Sequence, residues 1–293
     1  MELYYKNDAF FKFCFGKNSK ISCHLRTFMI QSVLDISYQD STVLNPELTA
    51  QMVNDKKIIL DVLSSNDDLI VDLEMQTSRL THYLHYRFIY YAYRLITNQL
   101  EIGDSYDLLK KAVLIVFIND MDVNNPAFIT AYSLHDEKTR RKYRYNLDRI
   151  IYVHMPYIKE IAKEKEVLSE FEALVYLLYT NSLKGIKWES QEGVIDMLGK
   201  RYRQFMQGKL YKSALSRQHN YMDYEAYTKS LYEDAKEEGI YDHAKEMFKT
   251  FMLKKYQKCD DELVDHLTLE ALNEGIVLMS ENISYPELKK RLL

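Results

Sequence analysis

Apolar residues follow helical spacing near the start of the chain, alternate with polar ones from about residue 35 to 76, and return to helical spacing after Pro156. KNDAFFKFCFGKNSK predicts a short helix, with Asn7 or Asp8 as its cap and Gly16 as its end. ISCHLRTFMIQSVL predicts a second, with Leu25, Phe28, Met29 and Val33 packed inward. KKIILDVLSS and DDLIVDLEMQ, joined by SSNDD, predict a strand hairpin. In the second run Leu69, Val71, Leu73 and Met75 share one face. Ile70, Asp72, Glu74 and Gln76 share the other, because side chains alternate along a strand.

A long helix is expected from Thr81 to Leu100, followed by strands in KKAVLIVFIND, FITAYSLHD and RIIYVHM. Helices and strands are thus mixed up to Pro156, and the segments beyond it are helical in pattern. The expectation is an α/β domain over residues 1–155, with a mixed central sheet flanked by helices, and a mostly helical C-terminal region over 156–293.

Composition changes this picture little. The chain has 293 residues, 47% of them hydrophobic and 28% charged, an ordinary globular balance. Its net charge of -4 excludes a uniformly basic nucleic-acid coat, so any such contact must be a local patch. Cys14, Cys23 and Cys259 are scattered, which argues against a disulfide framework or a thiolate zinc site. No apolar run approaches the roughly 20 residues of a membrane span. The N-terminus lacks the apolar core of a secretory signal, so a soluble, cytoplasmic protein is expected.

The unusual feature lies in IILDVLSSNDDLIVDLEMQ, where Asp61 and Glu74 interrupt apolar runs. Burying a carboxylate costs several kcal/mol unless a cation or donors compensate. Either these side chains face water, or the hairpin gathers them into an oxygen-rich site for Mg²⁺ or a similar ion. Gln76, two residues on, is placed to orient a water or to bond a phosphate oxygen.

The ordered set of motifs resembles the recombination-promoting nuclease/transposase branch of the PD-(D/E)xK nucleases. NDAFFKFCFG resembles that family's opening helix, IILDV its metal-binding Asp, and DLEMQ its Glu-x-Gln. RFIYYAYRLITNQLEIGDSY resembles the next block, with Arg87, Tyr91, Gln99, Gly103 and Tyr106 in the expected order. KAVLIVFI and FITAYSLHD fit the succeeding strands, and EEGIYDHAKEM resembles the C-terminal part. Three departures stand out: no Pro precedes Asp61, Gln76 replaces a Lys, and LTAQMVNDKK is unusually polar.

The resemblance implies a metal-dependent DNA endonuclease acting in recombination or on a mobile element. Asp61 and Glu74 would hold Mg²⁺ or Mn²⁺, with Asp8 as a third acidic partner, and Gln76 would complete the catalytic set. DNA contacts would come from Lys12, Arg87, Tyr91 and Arg94. Asp8 also reads as a helix cap, and Lys12 as a solvent-facing side chain. Arg79, Tyr83, Arg87, Tyr91 and Arg94 fall near one helical stripe, suited either to a DNA backbone or to plain packing. His82 and His85 read as surface residues. The basic segment KTRRKYRYNLDR (138–149) reads either as a phosphate contact or as a solvated loop. The rival function is a catalytically weakened DNA-binding or assembly module, and a homo-oligomer stays open.

Overall fold

The computed structural model describes residues 2–39, 42–48, 58–121, 126–280 and 283–292. All but the first residue of the polar LTAQMVNDKK stretch therefore lies outside them. The chain forms two compact units, Met1–Gln218 and His219–Leu293.

The first unit opens with α1 (Asp8–Phe15) and α2 (Lys20–Leu34). Asn7 caps α1, its side chain accepting from the backbone N–H groups of Ala9 and Phe10. Asp8 is therefore not the cap. Leu25, Met29 and Val33 of α2 are buried as expected, while Phe28 is half-buried against the same core.

Among the described residues, the expected strands between residue 35 and KKIILDVLSS reduce to two short pieces, β1 (Thr42–Val43) and β2 (Glu47–Leu48). KKIILDVLSS is not one strand either. It divides into β3 (Ile58–Ile59) and β4 (Val62–Ser65), with a bend at Asp61. β4 then pairs antiparallel with β5 (Leu69–Gln76), forming the expected hairpin. Asn66 closes the turn by accepting from the N–H groups of Asp68 and Leu69.

After β5, α3 (His82–Thr97) crosses to β6 (Lys111–Ile118), which runs parallel to β5. β7 (Ile129–Tyr132) and β8 (Asp148–His154) follow, with β8 parallel to β6 and antiparallel to β7. The result is one mixed six-stranded sheet, in the order β1-β4-β5-β6-β8-β7, with β2 and β3 pairing separately.

Helices cover both faces, so β5, β6 and β8 are largely apolar on both sides, as parallel strands between two helical layers must be. Val71, Leu73 and Met75 of β5 pack with α1 and α2 in the larger core, joined by Ile115 and Val153. On the opposite face Leu84, Phe88 and Leu95 of α3 cover Leu63, Leu114, Val116 and Tyr152.

The chain past Pro156 is helical: α4 (Ile158–Glu164), α5 (Glu170–Thr180), α6 (Val194–Met206) and α7 (Leu210–Tyr256). Leu174, Leu178, Leu198 and Phe205 of α5 and α6 enter the same core as the sheet. The compact unit therefore extends past the change in sequence pattern at residue 156, because these helices complete the sheet's cover. In the second unit α8 (Asp261–His266), α9 (Leu269–Ser280) and α10 (Tyr285–Leu292) pack with the end of α7 around Phe248, Met252, Val264 and Leu272.

Candidate active site

The bend between β3 and β4 sets the position of Asp61. Val62 lies opposite Leu73, so Asp61 meets the end of β5 that carries Glu74. The two residues are clasped reciprocally. The backbone N–H of Asp61 donates to Glu74 Oε1 at 3.0 Å, and the backbone N–H of Met75 donates to Asp61 Oδ2 at 2.9 Å. These bonds take the place of a regular ladder and explain why the strand breaks there.

Neither carboxylate faces open water. The side chain of Asp61 is 12% exposed and that of Glu74 is 6% exposed. Burial raises the Glu74 carboxyl to about 8, and the adjacent Asp61 charge adds to the effect. Asp61 is also raised, chiefly by burial, against the pull of Lys12.

Two cations flank the pair. From α1, Lys12 Nζ lies 2.9 Å from Asp61 Oδ1 and 2.9 Å from an Asp8 carboxylate oxygen. Burial opposes charge on Lys12, yet the Asp61 and Asp8 carboxylates prevail and hold its ammonium above the usual range. From α3, an Arg87 terminal nitrogen donates to Gln76 Oε1 at 2.8 Å and lies 4.0 Å from Glu74 Oε2. Gln76 Nε2 donates in turn to Ser78 Oγ. The segment after Gln76 is tied to the end of β6, where Asn119 donates to the Thr77 carbonyl at 2.9 Å.

The expected residues thus divide. Asp61, Glu74, Gln76, Arg87 and Lys12 converge, and Asp8 joins them through Lys12. Tyr91 is half-buried beneath the Arg87 guanidinium, 5.6 Å from its ring centre, and burial raises its hydroxyl above the usual range. Arg94, further along α3, is half-buried, whereas Tyr83 on the expected stripe is exposed and Arg79 precedes the helix. His82 and His85 are exposed at the start of α3, with His85 Nδ1 3.5 Å from the Tyr152 hydroxyl.

Asp72 is legible in the sequence only as part of the β5 face. It is fully buried, and among the described residues neither of its carboxylate oxygens has a hydrogen-bond partner. Burial, followed by the Glu74 and Asp61 charges, raises it well above the carboxylate range. Its signal in the sequence is its place one pleat before Glu74.

The donor set suits a hard divalent ion. Two adjoining carboxylates repel each other in a poorly hydrated site, and such an ion relieves both costs. Among the described residues no group of three His, Cys, Asp or Glu side chains is spaced to hold a metal. Mg²⁺ is commonly held by one or two carboxylates, with water and substrate phosphate completing its shell, so Asp61 and Glu74 fit that pattern.

A mixed sheet between helical layers, with an Asp at a strand bend beside a Glu-x-Gln strand, defines a PD-(D/E)XK-like α/β fold. The family described as PD-(D/E)XK nuclease family transposase matches residues 5–231, and the chain belongs to it. Membership supports a nuclease or transposase-like role. No curated protein and no solved structure matches the chain. No helix among the described residues is long and apolar enough to cross a membrane.

Proposed function

We propose that the protein is a divalent-metal-dependent DNA endonuclease that hydrolyses phosphodiester bonds, acting in the cytoplasm in DNA recombination or the movement of a mobile element. One observation carries the reading: Asp61 and Glu74 are clasped together, nearly buried, with raised proton affinity. Burying two adjoining carboxylates is costly, and a bound divalent cation would offset that cost.

Asp61 and Glu74 would hold Mg²⁺ or Mn²⁺, which supplies Lewis acidity and a more acidic bound water. Gln76 is neutral and cannot bring the charge that a Lys places there. Arg87 replaces it from α3, since its guanidinium rests on Gln76 Oε1 beside Glu74. Gln76 thereby acts as a positioning residue, held between Arg87 and Ser78. Arg87 is the group aimed at charge developing on phosphate. Lys12 offers a second cation, oriented by Asp8, to a phosphate entering beside Asp61. Tyr91 backs the guanidinium, and Arg94, seven residues on from Arg87 along the same helix, would add a contact to the DNA backbone.

The test is nicking of supercoiled plasmid with Mg²⁺ or Mn²⁺, beside an EDTA control, Asp61→Asn and Arg87→Ala. Metal-dependent nicking is expected, abolished in Asp61→Asn and reduced roughly 100- to 1,000-fold in Arg87→Ala. DNA binding without cleavage under either ion, unaltered by Asp61→Asn, would replace the nuclease with a binding module of the same fold.

A further inference from the structure

The basic segment 138–149 lies at the end of the sheet opposite the carboxylates. Leu69 and Lys111 pair where β5 and β6 begin, five residues before Glu74, a separation of about 17 Å along a strand. There the β7–β8 loop borders a cavity of about 390 Å³. Buried Leu69 and Val113 contribute apolar surface, while Lys111, Lys142, Arg144 and Arg149 bring positive charge. Asp148 is the one acidic side chain among its lining residues.

The loop is ordered by its own bonds. Asp136 accepts from the Thr139 backbone at 2.6 Å and from the Thr139 hydroxyl at 2.9 Å. Leu134 and Tyr143 are joined by a backbone bond of 3.0 Å, and His135 bridges to Lys142. Tyr143 and Tyr145 are 54% and 66% exposed, and their rings meet edge to face at 5.8 Å. The Arg144 guanidinium rests 4.9 Å from the centre of the Tyr145 ring. Exposed rings interleaved with cations, held in a fixed loop, keep the ordering cost of binding low.

We infer that this loop and cavity form a site for single-stranded nucleic acid, separate from the cleavage centre, with one unstacked base in the cavity and flanking phosphates on the cationic side chains. Resting on the reading that DNA is the substrate, it adds which form of the strand is held and where. Apolar surface beside cations suits a base joined to phosphates, and exposed tyrosines suit stacking without sequence readout. Duplex DNA meets only the charges, because its bases are already stacked and paired.

The experiment measures anisotropy of a fluorescent twelve-residue oligothymidylate on full-length Asp61→Asn protein in EDTA, with a duplex of equal length and thymidine monophosphate as comparisons. The single strand is expected to bind tighter than either. Lys142→Glu with Arg144→Glu should weaken it at least about 10-fold and flatten its salt dependence. Tyr143→Ala, an uncharged change, should weaken the single strand at least about 5-fold and the duplex less. Thermal melting verifies that both variants fold. Equal affinity for the monophosphate, equal affinity for the duplex, or variants that bind like the parent would overturn the inference. Cleavage and binding are read separately. Plasmid nicking by the wild type together with loop variants that bind normally sinks only this inference, while loop-dependent binding without nicking sinks only the nuclease.

Discussion

At Glu74, burial and the neighbouring Asp61 charge act in the same direction and push the carboxyl up to about 8. Asp61 and Asp72 are raised as well, with burial the leading cause for both. The folded, metal-free protein therefore binds protons that the unfolded chain releases near the ordinary carboxylate range. For Glu74 the resulting penalty is small below about pH 4 and accumulates as pH rises toward 8, at up to about 1.4 kcal/mol per unit. Asp61 and Asp72 add to it in the same direction. Thermal melting in EDTA should give a lower midpoint at pH 8 than at pH 5, with Mg²⁺ narrowing the gap. Identical midpoints at the two pH values would mean that the carboxylates are not destabilised as described. Asp72→Asn should remove part of the dependence, since it takes away one buried group that keeps its proton on folding.

Among the elements, two local features set the geometry. Asn7 starts α1, from whose last turn Lys12 reaches Asp61, and the bend before β4 turns Asp61 toward the end of β5. Replacing a side-chain N-cap with Ala costs about 1 kcal/mol. Asn7→Ala should therefore lower stability in a denaturant titration by about that amount. Asp8→Ala should leave the cap intact and lose only a half-exposed ion pair, worth little in water. A larger loss for Asp8→Ala than for Asn7→Ala would reverse the assignment of cap and partner. The β5 strand explains the buried carboxylates: its polar-bearing face is covered by α3 rather than washed by solvent, so alternation along the strand does not mean exposure.

Taken together, the two compact units have separate cores. The second depends on close approach at Gly275, where a Cβ would meet the Phe248 ring and lie 2.9 Å from a Leu292 methyl. Phe248 is fully buried, so the ring has little room to move. Overpacking of this kind commonly costs about 1–3 kcal/mol. Gly275→Ala should weaken amide-exchange protection around Phe248 and Leu272 while protection of β5 and β6 stays at the wild-type level. A loss spread equally over β5 and β6 would show that the units do not unfold separately.

Much of this is already written in the order of residues. The alternation of LIVDLEMQ establishes β5 and puts Asp72, Glu74 and Gln76 on one face, because a strand's period is local. The capped helices and the SSNDD turn are local too, and the ordered motifs are enough to suggest the family. Tertiary structure decides what depends on distant partners. KKIILDVLSS reads as continuous because nothing near Asp61 in sequence announces that Glu74 and Met75 will bond it and break the strand. Arg87 beside Gln76 and Lys12 beside Asp61 are likewise meetings across α3 and α1, with no signature in spacing. The change of pattern at residue 156 marks where strands end, whereas compactness depends on where α5 and α6 bury their apolar faces. Periodicity reports each segment's own preference; charge balance and burial belong to the neighbours that folding supplies.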